Sequence, residues 1–184
     1  MSKERSGPEQ EFFVTGAETW LDVEDAIVEF RRQAQQRCRE VVEPRLRDIS
    51  DACKMEWKAD QLLDFRERTA DWGCLGQKLR LGSVARLYFY LIVYRDASVG
   101  PYGAHVCLWR ARSNIATSLW SLAQAQSKKV QQEGNSLYVG PMFSEVELFS
   151  FEQHLNKAIE HFISFIGKAG GLKKHFEAET AATA

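Results

Sequence analysis

From Trp20 onward the apolar residues step by three and four: Trp20, Val23, Ile27, Phe30, Ala34, Cys38 and Val41 share one helix face, and charges fill the positions between. Thr19 stands where an N-cap would, with Asp22 three residues on in the place a capping box favours. Residues 1–18 are polar, include Gly7, Pro8 and Gly16, and read as a flexible lead-in. Pro44 ends or kinks the helix, because proline lacks an N–H and disfavours a helical residue before it. A second helical pattern, Leu46, Ile49, Cys53 and Trp57, runs on towards Leu62, Leu63 and Phe65. The first stripe also fits heptads, with Trp20, Ile27, Ala34 and Val41 seven apart. An arginine, Arg37, sits in the companion seam, so an amphipathic helix lying on a sheet is favoured over a coiled coil. The coiled-coil alternative would make Trp20–Val41 a self-association element.

Gly73, Gly76 and Gly82 read as a turn region, after which the period changes from helical to alternating. Residues 84–95 are dense in β-branched and aromatic side chains and predict a strand. One face of it is Ala85, Leu87, Phe89, Leu91 and Val93; the other is Arg86, Tyr88, Tyr90, Ile92 and Tyr94. A loop over 96–103 leads to a second strand, Ala104–Arg112, whose His105, Cys107 and Trp109 join the tyrosines. For 114–132, helix is favoured over strand. Gly134 and Asn135 signal a turn, and 137–139 and 143–148 read as short strands, Glu145 and Glu147 forming the wet face of the latter. Ser150 and Gln153 look like a capping box for a closing helix with Phe151, Leu155, Ile159, Phe162, Ile163 and Ile166 on one side. Gly167 or the Gly170–Gly171 pair ends it. Residues 173–184 read as a frayed tail.

These elements predict an α+β chain. A single domain spans 19–172: helical over 19–72, mainly antiparallel sheet of about four strands over 78–149, and a C-terminal helix over 150–169 packed on one sheet face.

Charge sharpens that picture. Residues 78–130 hold eight Lys or Arg and one acid, Asp96, for a net +7, against −5 before and −3 after in a chain of net −1. A cationic sheet between anionic helical ends is therefore either a working surface or a surface the helices cover. An apolar fraction of 45% suits an ordinary globular protein. The N-terminus has no apolar signal region, and the longest apolar run falls short of a membrane span. Cys38, Cys53, Cys74 and Cys107 form no CxxC pair, so zinc-knuckle and thioredoxin-type motifs are excluded. Cytoplasmic location, no membrane association and no cofactor are the resulting expectations.

Arg86, Tyr88, Tyr90, Tyr94, His105, Trp109, Arg110 and Arg112 are the binding residues the pattern suggests. Rings stack on bases while arginines neutralise phosphates, as single-stranded nucleic acid or a nucleotide requires. The plainer reading has helices covering half-buried tyrosines; a small-ligand pocket is the third. His154 and His161 lie seven apart on the closing helix, too far to share a metal, and read as packing residues. Glu56-Trp57-Lys58 has a nuclease-like ExK spacing, but in helical surroundings those side chains would diverge. GxSxG, P-loop and GxGxxG motifs are absent from the sequence. The leading expectation is a non-catalytic module that binds a protein. The alternatives are a nucleic-acid or nucleotide binder, and an enzyme whose site forms only in three dimensions.

Overall fold

Proline is well placed in the first turn of a helix, where its missing N–H has no partner to lose. In this computed structural model, which describes residues 8–81, 85–96, 100–110, 119, 121, 125 and 130–173, Pro8 opens helix α1 (Pro8–Val42). The helix thus starts well ahead of Thr19. Thr19 does not cap it but sits inside it, its hydroxyl 3.3 Å from the Gly16 carbonyl oxygen. The chain divides into two units between Gln33 and Ala34. In the first, the apolar stripe is exposed: Trp20 at 64%, with Val23, Ile27, Val28 and Phe30. In the second, Ala34, Cys38 and Val42 are core residues. Arg37, the arginine in the heptad seam, forms a two-pronged pair with Glu152.

Within this second unit, Pro44 breaks α1 as expected. A 3-10 turn (Glu43–Arg45) follows, then α2 (Leu46–Cys53) with Leu46, Ile49 and Cys53 buried. Here the expected continuation fails. Lys54 adopts a left-handed conformation (φ 60°), which stops the helix, and Leu63 and Phe65 fall instead in strand β1 (Leu63–Arg68). An edge strand whose residues are mostly exposed has few apolar positions to show its alternation. Gly73 and Gly76 mark no turn either; they lie within β2 (Trp72–Leu81). A Cβ on Gly76 would come 2.0 Å from the Phe89 carbonyl oxygen. Glycine in a strand here serves close approach rather than reversal.

β3 (Ala85–Tyr94) and β4 (Tyr102–Arg110) form where the alternation predicts strands. β5 (Val130–Glu133) and β6 (Ser136–Val139) make a hairpin around Gly134, which has φ 53°. β5 takes the end of the stretch read as helix. β7 (Met142–Phe143) covers only the first residue of the strand expected over 143–148. The rest is a 3-10 helix, because Ser144 and Glu147 exchange capping bonds, the Ser144 N–H donating to Glu147 Oε2 at 3.0 Å. Among the described residues the sheet has seven antiparallel strands rather than four, in the order β1-β2-β3-β4-β6-β5 with β7 also on β4. Gly140 (φ 148°) carries the chain from β6 to β7; a Cβ there would lie 2.0 Å from the Ala104 carbonyl oxygen. The helix-or-strand question over 114–126 lies outside the described residues, apart from Leu119, Ser121 and Ala125. So do tail residues 174–184.

Helix α3 (Phe151–Lys168) closes one sheet face, burying Phe151, Leu155, Ala158, Ile159, Phe162, Phe165 and Ile166. They join Leu87, Phe89, Leu91, Val106 and Leu108 in one core with Cys38, Val42 and Ile49. Ser150 makes no side-chain cap, and the helix ends before Gly170 and Gly171, both at positive φ. Gln77, fully buried on this face, is satisfied by the Asp64 carboxylate, the Gln35 carbonyl and the Arg39 guanidinium. Ring against ring, His154 stacks on Phe143 at 4.6 Å, the packing role expected of it. Among the described residues no helix is long and apolar enough to cross a membrane.

Candidate functional site

Strand alternation that turns Leu87 and Phe89 to the core turns their neighbours to the opposite face. Cross-strand register then assembles three rows there. Phe65, Gly76, Tyr90 and His105 stand side by side across β1 to β4. Next come Lys78, Tyr88, Cys107 and Tyr138, and then Arg80, Arg86, Trp109, Ser136 and Glu133. Because Gly76 has no side chain, Phe65 and Tyr90 on its two sides meet edge to face at 6.1 Å. Tyr90 inclines against His105 at 5.8 Å, and His105 against Tyr138 at 6.3 Å.

All of these but Gly76, Lys78 and Arg80, together with Glu67, Trp72, Cys74, Ile92, Tyr94 and Gln131, line a cavity of about 460 Å³. Its floor is dry. Tyr90 is 5% exposed and His105 8%. Burial lowers the His105 imidazole to about 4 and pushes the Cys74 and Cys107 thiols up to about 12. Burial likewise raises the Tyr90 phenol well above its ordinary range. All four are therefore uncharged at neutral pH. His105 Nε2 has no hydrogen-bond partner among the described residues. A Cβ on Gly103 would lie 2.7 Å from that nitrogen, so the bare glycine makes the room the imidazole occupies.

The rim is charged. The Arg86 guanidinium lies 5.1 Å over the Trp109 ring, a cation–π contact, and its Nη1 is 3.4 Å from the Tyr88 hydroxyl. Arg80 stands directly opposite Arg86, and Lys78 opposite Tyr88. None of these three cations has an ion pair with a described residue.

Of the residues the sequence suggested, Arg86, Tyr88, Tyr90, Tyr94, His105 and Trp109 all line this cavity. Arg110 is not brought to it: it is buried on the core face, opposite Ala85. Arg112 lies outside the described residues. Sequence reasoning missed Phe65, Trp72, Cys74 and Tyr138, whose strands it read as helix or turn or left unassigned to a face. Gly76 was the available signal, since an isolated glycine beside an aromatic strand marks close approach. A larger depression, about 640 Å³, surrounds Glu56, Trp57 and Lys58. The segment is not helical, because α2 stops at Cys53, and its charged side chains stand exposed. Glu56 and Lys58 face solvent, so the sheet cavity, with His105 and Tyr90 buried in its lining, is the stronger site.

No family model, no curated protein and no solved structure matches this chain.

Proposed function

We propose that this protein is a non-catalytic binding module that holds a small ring compound on its tyrosine face. One observation carries the reading. His105, whose buried Nε2 has no hydrogen-bond partner among the described residues, lines a cavity walled by aromatic rings. An unsatisfied buried polar group costs about 1–3 kcal/mol, which a ligand hydrogen bond would recover. A volume of about 460 Å³ falls inside the rough 300–1,000 Å³ range of small-molecule sites. The floor speaks against catalysis. A histidine held at about 4 is a weak base at neutral pH, and thiols at about 12 are poor nucleophiles. The four cysteines are free and buried, which suits a reducing, cytoplasmic setting.

The test is a thermal-shift screen with neutral, cationic and anionic ring compounds, run on the wild type and on Tyr90→Trp, which fills the cavity. Compounds should raise the wild-type melting temperature and lose that effect in the variant. If no compound shifts the wild type, or the variant responds equally, the reading is wrong.

A second reading concerns the first unit. Trp20, Val23, Ile27 and Phe30 are exposed at spacings of three and four, the seam of a two-stranded coiled coil. The protein partner of this arm is therefore a second copy of the chain. Light scattering should report a dimer that Ile27→Glu converts to a monomer; a monomeric wild type at high concentration refutes it.

A further inference from the structure

We infer that the ligand is a flat aromatic compound bearing one anionic group, its ring inside the cavity and its anion on Lys78, Arg80 and Arg86. The inference rests on the cavity being a ligand site and adds the ligand's chemical class. Like charges directly opposite on paired strands destabilise each other, yet Arg80 faces Arg86 with no carboxylate between them. The nearest acid in that row is Glu133, three strands from Arg86 through β4 and β6, or roughly 14 Å at ordinary strand spacing. Glu67 lies in the row of Cys74 and Ile92, towards the opposite end of the strands. Among the described residues these cations make no ion pair, although Glu67 and Glu133 also line the cavity, and Arg86 is held in place by Trp109.

Two guanidinium forks and an ammonium suit a phosphate or carboxylate, which accepts paired N–H bonds. The floor imposes the opposite demand. With Tyr90, His105, Cys74 and Cys107 uncharged and buried, only a neutral ring enters at low cost. Tyr88 and Trp109 join the two halves, because each is paired across strands with a cation and also lines the cavity. The bound molecule therefore keeps its ring and its charge at opposite ends.

Trp72 and Trp109 line the cavity and provide a fluorescence signal. The full-length protein is titrated with 1-naphthyl phosphate, 1-naphthoate, 1-naphthol and inorganic phosphate at low and high salt. Naphthyl phosphate or naphthoate should bind at least about tenfold more tightly than naphthol, since hydrogen bonds to charged groups are among the stronger ones. Phosphate alone should be weaker than both ring anions, and added salt should shrink the anion's advantage. Whichever ring anion binds more tightly names the group preferred. Arg80→Gln with Arg86→Gln should lower naphthyl phosphate affinity at least about tenfold more than naphthol affinity. Equal binding of naphthol and the ring anions overturns this inference but leaves the cavity as a ligand site. Failure of every ring compound to bind sinks both. Phosphate binding as tightly as naphthyl phosphate, or affinity that climbs with each nucleotide added to a single strand, also overturns it, because the cavity receives one ring.

Discussion

The two faces of β3 alternate along one strand and differ in what they touch. Leu87, Phe89 and Leu91 are sealed under α3 in the apolar core. Tyr88, Tyr90 and Ile92 alternate with them, one residue away in sequence, and line a cavity. The core face contributes to stability through close packing, where any lost volume becomes a void. The other face brings rings together, leaves an imidazole nitrogen without a partner among the described residues and places like charges opposite each other. On the function proposed above, the contrast would separate the residues that hold the fold from those that meet a ligand.

The largest effect should separate Phe89 from Tyr88. Phe89 is fully buried in the core. Phe89→Ala should therefore cost about 3–5 kcal/mol, in the range of phenylalanine truncations in packed interiors. Tyr88 is half-buried at the cavity, and its truncation should cost under about 1 kcal/mol. Urea unfolding of both variants measures the difference. Equal losses would mean that the tyrosine face is a second core, and the division drawn here would fail.

Acid should reveal the cavity next. Burial holds the folded imidazole of His105 at about 4, below the ordinary 6.5. Between those values the unfolded chain binds a proton that the fold refuses, so stability falls as pH falls through that window and levels off below it. Above pH 6.5 the group is neutral in both states and contributes nothing. By about pH 4 the loss is about 3 kcal/mol, from roughly 1.4 kcal/mol per pH unit. Carboxylates titrate in the same range, so the comparison is wild type against His105→Phe, whose stability curve should be flatter by that amount. Parallel curves would show a solvated histidine and a wet cavity floor.

How much of this was legible depended on burial being one-sided. β3 alternates cleanly, so both of its faces were readable from Ala85 to Tyr94, and His105, Cys107 and Trp109 followed by register. α3 was readable too, because Phe151, Leu155, Ile159 and Phe162 pack on one surface. β1 was not: at the sheet edge, little besides Phe65 needs to be apolar, and a helical spacing survives by chance. β2 hid behind Gly73 and Gly76, whose role depends on how near Tyr90 and Phe89 lie. The charge pattern misled at Arg110, where net charge along the sequence says nothing about which face an arginine occupies.

The smallest change sharpens the comparison most. Gly103 sits on the cavity face of β4, outside the left-handed region, so alanine fits its backbone. The added methyl would meet His105 Nε2 at 2.7 Å, Ile92 Cγ2 at 2.9 Å and Met142 Sδ at 2.9 Å. All three are side-chain atoms that can move, unlike the Phe89 carbonyl that would block Gly76→Ala. Gly103→Ala should thus cost only about 1 kcal/mol, the low end of overpacking. It should nonetheless displace the imidazole and weaken ring binding at least about tenfold, as losing a well-placed hydrogen bond does. Calorimetric titration beside urea unfolding reads both quantities. Binding that tracked stability alone would make His105 a packing residue, and the two faces of the sheet would then differ in composition but not in purpose.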